Sequence, residues 1–317
     1  MNRRIKISVW GPTGPLNILG DSLTKCLKTI SVFEVVDSDY TQPDIIYWVG
    51  GKGPSLKKYF LFWIKKNPII INHWIGTDVL EEMKKKEHQG MNKIRNCIQD
   101  GLFWWKMKKG GLINLAVAPW LVDELSEVHI CATYLPLTTI DIPTLGTVNI
   151  QHPKDIDFLS YVQLRRFEFY GGDKIVHLAN RWKNFTFLII LGDITEIPPG
   201  FIKKIPKNIT ISPRVERNKM PELYQRSKFF IRYTQHDGLS LSVLEALYFN
   251  LEVLWTYNFP YTHKIDTLEK LSDAIPSLVK DWHPNERGHA YVIDHFSIEK
   301  WREDFLAIIK SKDHMLF

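Results

Sequence analysis

Short apolar runs alternate with helix-length segments throughout the chain. In the first half, runs with the length of buried strands occur at Ile5–Trp10, 32–36, 44–49, 68–72, 113–117 and 129–135. Segments of helical length lie between several of these runs, at 17–29, at 56–66 and after Pro119. Parallel strands are covered on both faces, so continuous apolar runs separated by helices are typical of parallel sheets. The first half is therefore predicted to be a parallel α/β domain.

The second half repeats this alternation. Strand-like runs occur at 156–161, 185–191, 209–211, 229–232 and 251–256, and helix-like segments at 171–182, Met220–Arg226, 242–249 and 297–310. Between the halves, residues 135–143 are rich in turn-forming residues, which favours a linker. The pattern predicts two Rossmann-like domains facing a central cleft, residues 1–143 and 144–317, with the last helix able to pack back on the first domain. Such domains bind ligands at the carboxyl ends of their strands.

Composition narrows the class of protein. The 317 residues suffice for two domains, and 44% hydrophobic with 24% charged residues is typical of a folded soluble protein, not a disordered or collagen-like one. The three cysteines show no C-x-x-C spacing, which disfavours a zinc site or disulfide scaffold and favours a reducing compartment. The first residues are too few and too charged for a signal peptide, and no run approaches the ~18 apolar residues of a membrane span. A cytoplasmic protein is expected.

One segment combines several features of an anion-binding site: Thr234-Gln-His-Asp-Gly-Leu-Ser-Leu-Ser-Val-Leu-Glu-Ala-Leu247. It follows a strand and opens a helix, where backbone N–H groups without helical partners attract phosphate. The residues predicted to supply these groups are Ser240, Leu241 and Ser242. Gly238 permits close approach by a ligand, and Asp237 and Glu245 can accept hydrogen bonds from sugar hydroxyls. The structural alternative is a capped helix with Glu245 on its solvent-exposed face.

This segment resembles the Glu-x7-Glu signature of the retaining nucleotide-sugar glycosyltransferases with two Rossmann-like domains, the glycogen-synthase-like, family-4 type with the GT-B fold. Asp237 and Glu245 occupy the two acidic positions, with seven residues between them. The flanking segments 224–231 and 245–254 are also similar to that family. Two positions depart from its pattern, because Asp237 replaces the usual Glu and is one methylene shorter, and Asn250 replaces a helix-ending Gly. The resemblance covers residues 208–257 and is diffuse elsewhere.

The resemblance implies transfer of a sugar from a UDP- or GDP-sugar to an acceptor, with retention of configuration, without an essential metal and without a tightly bound cofactor. It implies that Glu245 holds the ribose and that Asp237 and His73 position the donor sugar, with Asp78 second to His73. The strand and loop that end at Val215 would face the base. The residues implied for the donor phosphates are Arg166, Gly238, Ser240, Leu241 and Ser242, together with the glycine loop Gly11-Pro-Thr-Gly14.

These assignments have alternatives. Arg165 and Arg166 are equally typical of a solvated surface pair, and Asp78 of a cap for the following helix. Asp37-Ser-Asp39 has the form of a metal-binding Asp-x-Asp but comes too early in the chain, so it is interpreted as a loop. Other functions stay open: a sugar-nucleotide epimerase or glycoside phosphorylase of the same fold, a non-catalytic sugar-nucleotide or lipid binder, and, less favoured, a two-carboxylate glycosidase.

The first half also carries basic and aromatic residues together. Between Lys52 and Lys109 there are thirteen Lys and Arg against five Asp and Glu, whereas the whole chain has a net charge of only +6. The stretch 102–109, with Trp104 and Trp105 among lysines, has the composition that binds anionic membrane surfaces. The alternative is that these aromatic side chains pack inside the protein. Membrane docking would make the acceptor a lipid-linked saccharide at the inner membrane face. Nucleic-acid binding is disfavoured because no recognisable motif is present.

Overall fold

The computed structural model describes residues 4–11, 17–37, 42–50, 68–87, 112–137 and 145–311. The chain divides into two compact units, residues 1–139 with 298–317, and residues 140–297. Each unit contains a six-stranded sheet whose described strand pairs are parallel. This confirms the predicted α/β class with two Rossmann-like domains. The predicted boundary at 143/144 stays a prediction, because residues 138–144 lie outside the described part of the chain.

The first unit is built on a sheet with the strand order β2-β1-β3-β4-β5-β6. Its elements, in chain order, are β1 (Ile5–Trp10), α1 (Asn17–Lys28), β2 (Phe33–Val36), β3 (Ile45–Val49), β4 (Ile69–Trp74), α2 (Thr77–Glu87), β5 (Leu112–Ala116), α3 (Pro119–Glu127) and β6 (Thr133–Tyr134). All five residues of β3 are buried, as a strand covered on both faces requires. Pro119 opens α3, where its missing N–H leaves no helical hydrogen bond unmade.

The second unit has the strand order β12-β11-β10-β7-β8-β9. Its elements are β7 (Ile156–Val162), α4 (Gly172–Arg181), β8 (Phe187–Leu191), β9 (Ile209–Ser212), α5 (Met220–Arg226), β10 (Ser227–Arg232), α6 (Leu241–Tyr248), β11 (Glu252–Trp255), β12 (His263–Lys264), α7 (Leu268–Lys280) and α8 (Glu286–Phe296). Strands β8 and β9 lie on one side of β7, whereas β10 and β11 lie on the other side. Such a reversal opens a crevice at the carboxyl ends of the two strands between which the direction changes, here β7 and β10.

A row of phenylalanine rings joins the three central strands of the second sheet. The Phe158 ring of β7 stacks on Phe187 of β8 at 4.9 Å and on Phe229 of β10 at 5.1 Å. All three rings are buried, so they belong to the hydrophobic core on one face of this sheet. The core fixes β7 against β10 and thereby fixes the crevice at their carboxyl ends.

The last helix, α9 (Ile298–Lys310), belongs to the first unit. Its buried side chains include Trp301 and Phe305, which are four residues apart and so lie on one stripe of the helix. The Phe305 ring lies 6.0 Å from Phe33 of β2 and 5.8 Å from Tyr47 of β3. The helix therefore covers these two strands of the first sheet.

Each predicted strand is present, with shifted ends. The largest shift concerns the final strand of the first unit, because only Thr133–Tyr134 of the predicted run 129–135 is paired. Strand β12 and helices α7 and α8 were not predicted. The predicted helix 56–66 and the stretch 102–109 lie outside the described residues. Within the described residues, no helix is both long enough and apolar enough to span a bilayer.

Candidate functional site

Two loops meet at the carboxyl ends of β7 and β10. The loop after β7 comprises residues 163–171, and the loop after β10 comprises residues 233–240. The Gln235 N–H of the loop after β10 donates to the Phe169 carbonyl of the loop after β7 at 3.0 Å. Gly171 lies against Tyr233 in the left-handed region, at φ 71°, and a Cβ added there would come within 2.1 Å of the Tyr233 carbonyl oxygen. Only glycine meets both conditions. The two loops are therefore held in backbone contact at the crevice.

Asp237 is held by a buried arginine at the end of β10. Arg232 Nε donates to Asp237 Oδ2 at 2.7 Å, and Arg232 Nη1 donates to the Tyr161 carbonyl at 3.1 Å. The two side chains are only 10% and 14% exposed. Burial alone would lower the pKa of Arg232, but the Asp237 charge raises it overall, so the guanidinium stays charged. The Arg232–Asp237 pair is thus a largely buried ion pair, and Arg232 makes the additional hydrogen bond that a buried charge requires.

Glu245 is buried, not solvent-exposed, which corrects the structural alternative considered for it. It is 6% exposed. Its Oε1 accepts from Arg217 Nη2 at 3.2 Å, and its Oε2 accepts from the Tyr224 hydroxyl at 3.1 Å. Burial raises the pKa of Glu245, and the Arg217 charge and the Tyr224 hydrogen bond oppose this rise. Each carboxylate oxygen has two acceptor positions, so Glu245 can accept further hydroxyls without losing these partners.

The start of α6 is not capped by its own N-cap side chain. The Ser240 hydroxyl pairs with the Ser242 hydroxyl at 2.9 Å and makes no capping bond to a helix N–H. The Ser240 carbonyl begins the helix by accepting from the backbone N–H groups of Val243 and Leu244. The preceding N–H groups, those of Leu241 and Ser242, belong to the first turn, where the helix provides no acceptor. Helix α6 therefore begins with two first-turn N–H groups next to Gly238 and Asp237, and phosphate binding there stays a prediction.

The loop after β7 carries the predicted phosphate-binding arginine. Asp193, which follows β8, fixes this loop because its carboxylate accepts from the backbone N–H of Leu164 at 2.6 Å and of Arg165 at 3.1 Å. Arg166 then lies in a short 3-10 turn, with its guanidinium carbon 5.8 Å from the centre of the Phe169 ring. Arg166 thus lies on the loop whose backbone contacts the Asp237 loop through the Gln235–Phe169 hydrogen bond.

Val215 lines a groove beside α5. The groove has a volume of about 470 Å³ and runs between α5 and the edge strand β9. Its lining also includes Ser212, Lys219 and Leu223. Arg217, the partner of Glu245, lies two residues after Val215. The predicted base-facing loop is therefore adjacent to the residues around the predicted ribose acid.

His73 lies in the core of the first unit. It is fully buried, its Nε2 donates to the Leu135 carbonyl at 2.8 Å, and its Nδ1 accepts from the Tyr47 hydroxyl at 2.8 Å. Burial lowers the pKa of His73 to about 4, so the ring is neutral at pH 7. Both ring nitrogens have partners inside the unit. This arrangement argues against the predicted contact between His73 and a donor sugar and favours a structural role.

Asp78 forms a turn at the start of α2. Its Oδ1 accepts from the backbone N–H groups of Ile75 at 3.0 Å, Gly76 at 2.8 Å and Val79 at 3.0 Å. These contacts support the alternative in which Asp78 caps the helix.

Of the two glycines in the predicted glycine loop, Gly11 follows β1 and is exposed, whereas Gly14 lies outside the described residues. Among the described residues, no group of three His, Cys, Asp or Glu side chains is placed to hold a metal ion.

Several residues at the crevice were missed by the sequence analysis. They are Tyr161, Arg217, Tyr224 and Arg232. For Arg232 a signal existed, because a charged residue directly follows the apolar run 229–231 at the end of the strand. For Arg217 and Tyr224 there was none, since their contact with Glu245 joins residues 28 and 21 positions apart.

The sequence matches no family model and no curated protein. Solved structures nevertheless share its fold over nearly the whole chain. Sucrose-phosphate synthase from Thermosynechococcus elongatus is 12% identical, with a TM-score of 0.71, and the match covers 98% of this chain and 100% of that one. A glycosyltransferase from Rickettsia africae is 12% identical, with a TM-score of 0.67 over 98% and 99% of the two chains.

An epimerase has the same fold. The putative UDP-N-acetylglucosamine 2-epimerase from Listeria monocytogenes is 14% identical, with a TM-score of 0.57, and the match covers 98% of this chain and 97% of that one. Identities this low establish the fold and not the reaction. The chain therefore has the GT-B fold, which these two glycosyltransferase structures and the epimerase share.

Proposed function

We propose that the protein is a glycosyltransferase that moves a sugar from a nucleoside-diphosphate sugar to an acceptor hydroxyl. The observation that carries this proposal is the placement of Asp237, Glu245 and the uncapped start of α6 around the crevice between β7 and β10. A UDP- or GDP-sugar has a ribose diol, a diphosphate and a sugar, and the crevice offers a separate group for each. The similarity to glycosyltransferase structures supports this class of reaction. The similarity to a protein named as a UDP-N-acetylglucosamine epimerase supports a nucleotide sugar as the substrate.

The residues act in the following way. Glu245 accepts hydrogen bonds from the ribose diol, while Val215 and its loop face the base. The first-turn N–H groups of α6 and the fork of Arg166 bind the diphosphate and stabilise the charge that it gains as it leaves the sugar. Asp237 accepts from the sugar hydroxyls. His73 has no direct part, because its ring is enclosed in the core of the first unit.

The stereochemistry and the acceptor belong to the same proposal. In this proposal the acceptor hydroxyl attacks on the face that the diphosphate leaves and gives its proton to the leaving diphosphate, with retention of configuration and without a metal. The acceptor is a saccharide or a lipid-linked saccharide. The lipid-linked form depends on the stretch 102–109, which lies outside the described residues.

Binding of the nucleotide tests the assignment of Glu245. Glu245→Ala is expected to weaken binding of UDP or GDP by ~1.5–3 kcal/mol, because a hydrogen bond to a charged group is lost. Isothermal calorimetry on the wild type and the variant measures this difference. Glu303→Ala, which removes an exposed glutamate of α9, is the matched control and should bind as the wild type does. Equal affinity of the wild type and Glu245→Ala would remove Glu245 from the site.

An epimerase of the same fold is the second candidate, favoured by the full-length match to the Listeria structure. The two enzymes differ in their products. A transferase releases UDP from UDP-N-acetylglucosamine and passes the sugar to an acceptor or to water, whereas an epimerase returns an isomeric nucleotide sugar. Proton and phosphorus NMR of the reaction mixture separates these outcomes, and a non-catalytic binder would leave the donor unchanged.

A further inference from the structure

We propose that Arg232 is a positioning residue that holds Asp237 in the orientation needed to bind the donor sugar. This inference rests on the proposed function, since it assigns a role toward the same donor. Arg232 is the last residue of β10, and Asp237 follows five residues later in the loop that leads to α6. The guanidinium of Arg232 is buried beside the crevice.

The contacts of Arg232 reach three separate parts of the site. Its Nε donates to Asp237 Oδ2 at 2.7 Å, its Nη1 donates to the carbonyl of Tyr161 in β7 at 3.1 Å, and its guanidinium carbon lies 4.9 Å from the centre of the Tyr170 ring. Tyr170 belongs to the loop that carries Arg166. One side chain thus connects the Asp237 loop, the neighbouring strand and the phosphate-binding loop.

The backbone of Asp237 is held as well as its side chain. The Asp237 N–H donates to the Tyr257 hydroxyl at 3.1 Å. With the amide fixed by Tyr257 and Oδ2 fixed by Arg232, the carboxylate has one strongly favoured orientation. Arg232 therefore sets the position of the Asp237 carboxylate.

The chemistry of the contacts requires arginine. A guanidinium is planar, donates in a fixed fork and stacks on an aromatic face, whereas a lysine ammonium is a single point of charge on a flexible stem. At position 232 the fork divides between a carboxylate and a carbonyl while the ring of Tyr170 lies close to the guanidinium. A lysine at position 232 can keep the charge and the ion pair with Asp237. It cannot at the same time donate to the Tyr161 carbonyl and stack on the Tyr170 ring.

A purely structural role for Arg232 makes a different prediction from a positioning role. If the ion pair only stabilised the second unit, its loss would lower the unfolding temperature and affect all ligands equally. If Arg232 positions Asp237, its loss affects the sugar part of the donor and spares the nucleotide part. Arg181 provides a matched control on the surface, because it pairs with Asp273 at 2.6 Å and lies 5.4 Å from the Trp182 ring but is about half exposed.

The experiment compares Arg232→Met, Arg232→Lys, Asp237→Asn, the double variant Arg232→Met with Asp237→Asn, and Arg181→Met. Affinities for UDP, UDP-glucose, UDP-N-acetylglucosamine, GDP and GDP-mannose are measured by calorimetry, release of UDP or GDP from the sugars by a coupled assay, and unfolding by a thermal scan. Arg232→Met removes the positive charge beside Asp237 and could prevent folding. Arg232→Lys keeps that charge, so it provides the same test if Arg232→Met does not fold.

Arg232→Met is expected to bind the free diphosphate as the wild type does, because Asp193 and the Gln235–Phe169 bond still hold the loop of Arg166. It should lose about tenfold or more in donor affinity or turnover, because misplaced groups in a site lose rate steeply. Arg232→Lys should recover part of the loss, and the double variant should be no worse than Asp237→Asn, since residues that act as a unit are not additive. Arg181→Met should behave as the wild type.

Three results would overturn the inference: unchanged donor affinity and turnover in Arg232→Met and Arg232→Lys, equal losses for the diphosphate and the donor, or additive losses in the double variant. The proposed function fails separately. If the wild type binds no nucleoside diphosphate or donor, both proposals fall. If it binds them with a dependence on Glu245 while Arg232 has no effect on the sugar, only the positioning role falls.

Discussion

At the scale of single residues, the second unit holds one buried carboxylate, Glu245, and one that is largely buried, Asp237. Glu245 and Asp237 each have an arginine partner, Arg217 and Arg232. A buried carboxylate that keeps its partners is fixed in direction and poorly solvated, so a ligand hydroxyl does not compete with bulk water for it. The site is thus already organised before a ligand binds.

The buried His73 makes the first unit sensitive to acid. Its pKa falls from the ordinary 6.5 to about 4 in the folded protein, because burial disfavours the charged ring. The folded state therefore binds this proton less readily than the unfolded state. The stability that the neutral His73 ring provides is fully present above pH 6.5. As the pH falls from 6.5 toward 4, the free energy of unfolding decreases by about 1.4 kcal/mol per pH unit.

Thermal unfolding between pH 7 and pH 4 measures this loss. His73→Gln should flatten the dependence, whatever its effect on stability at pH 7. His129→Asn is the control, because His129 is exposed and asparagine tolerates its left-handed backbone at φ 63°. The same slope in His73→Gln as in the wild type would show that another group causes the acid sensitivity.

The sequence identified the acidic residues of the site but not their partners. Asp237 and Glu245 lie in one segment with a regular spacing, so a local pattern was enough to find them. Arg217, Tyr224 and Arg232 contribute through contacts made by folding, and the bond from Arg232 to the Tyr161 carbonyl spans 71 positions. The surroundings of His73 could not be predicted for the same reason, because only the fold shows that its ring contacts Tyr47 and Leu135.

At the scale of elements, the strands were predictable and the short or irregular elements were not. Buried strands such as Phe187–Leu191 are continuous apolar runs, and all five residues of this strand are buried. Strand β12 has only two residues, both exposed, and so leaves no pattern. Helix α7 contains Pro276 in its interior, which is a signal against a helix.

The contact between the two crevice loops depends on Gly171. Gly171→Ala is expected to destabilise the protein by ~2–4 kcal/mol, because a left-handed alanine is strained and its Cβ would overlap the Tyr233 carbonyl. The loops must separate to relieve this overlap, so UDP affinity should fall as well. Urea unfolding and calorimetry measure the two effects.

Gly200→Ala is the matched control for this substitution. Gly200 also has a positive φ, 80°, but no atom lies within 4 Å of an added Cβ. It should therefore show the backbone strain alone, ~1 kcal/mol, with unchanged UDP affinity. Equal destabilisation of the two variants would mean that the loop contact adds nothing.

At the scale of the whole molecule, the basic and aromatic stretch 102–109 predicts a second partner. The chain should bind anionic vesicles at low salt and lose this binding as salt rises, because each lysine near such a surface contributes ~1 kcal/mol and salt screens it. Flotation with phosphatidylserine vesicles tests this expectation. Phosphatidylcholine vesicles are the neutral control.

The variant that decides the origin of this binding is Trp104→Ser with Trp105→Ser and Lys108→Glu. It should be recovered with phosphatidylserine vesicles much less than the wild type. Equal recovery of the two proteins would exclude the stretch as a membrane anchor and would leave the glycosyltransferase proposal as it stands.

The position of α9 affects how the protein is made. The chain enters the second unit after residue 139 and returns to the first at residue 298. During synthesis, the second unit has all its residues before the first unit has the helix that covers β2 and β3. Folding on the ribosome therefore cannot proceed strictly from the first domain to the last, as it does when domains are contiguous. Until α9 has been synthesised, the apolar surface around Phe33 and Tyr47 lacks the covering side chain of Phe305, and the first unit cannot complete its core.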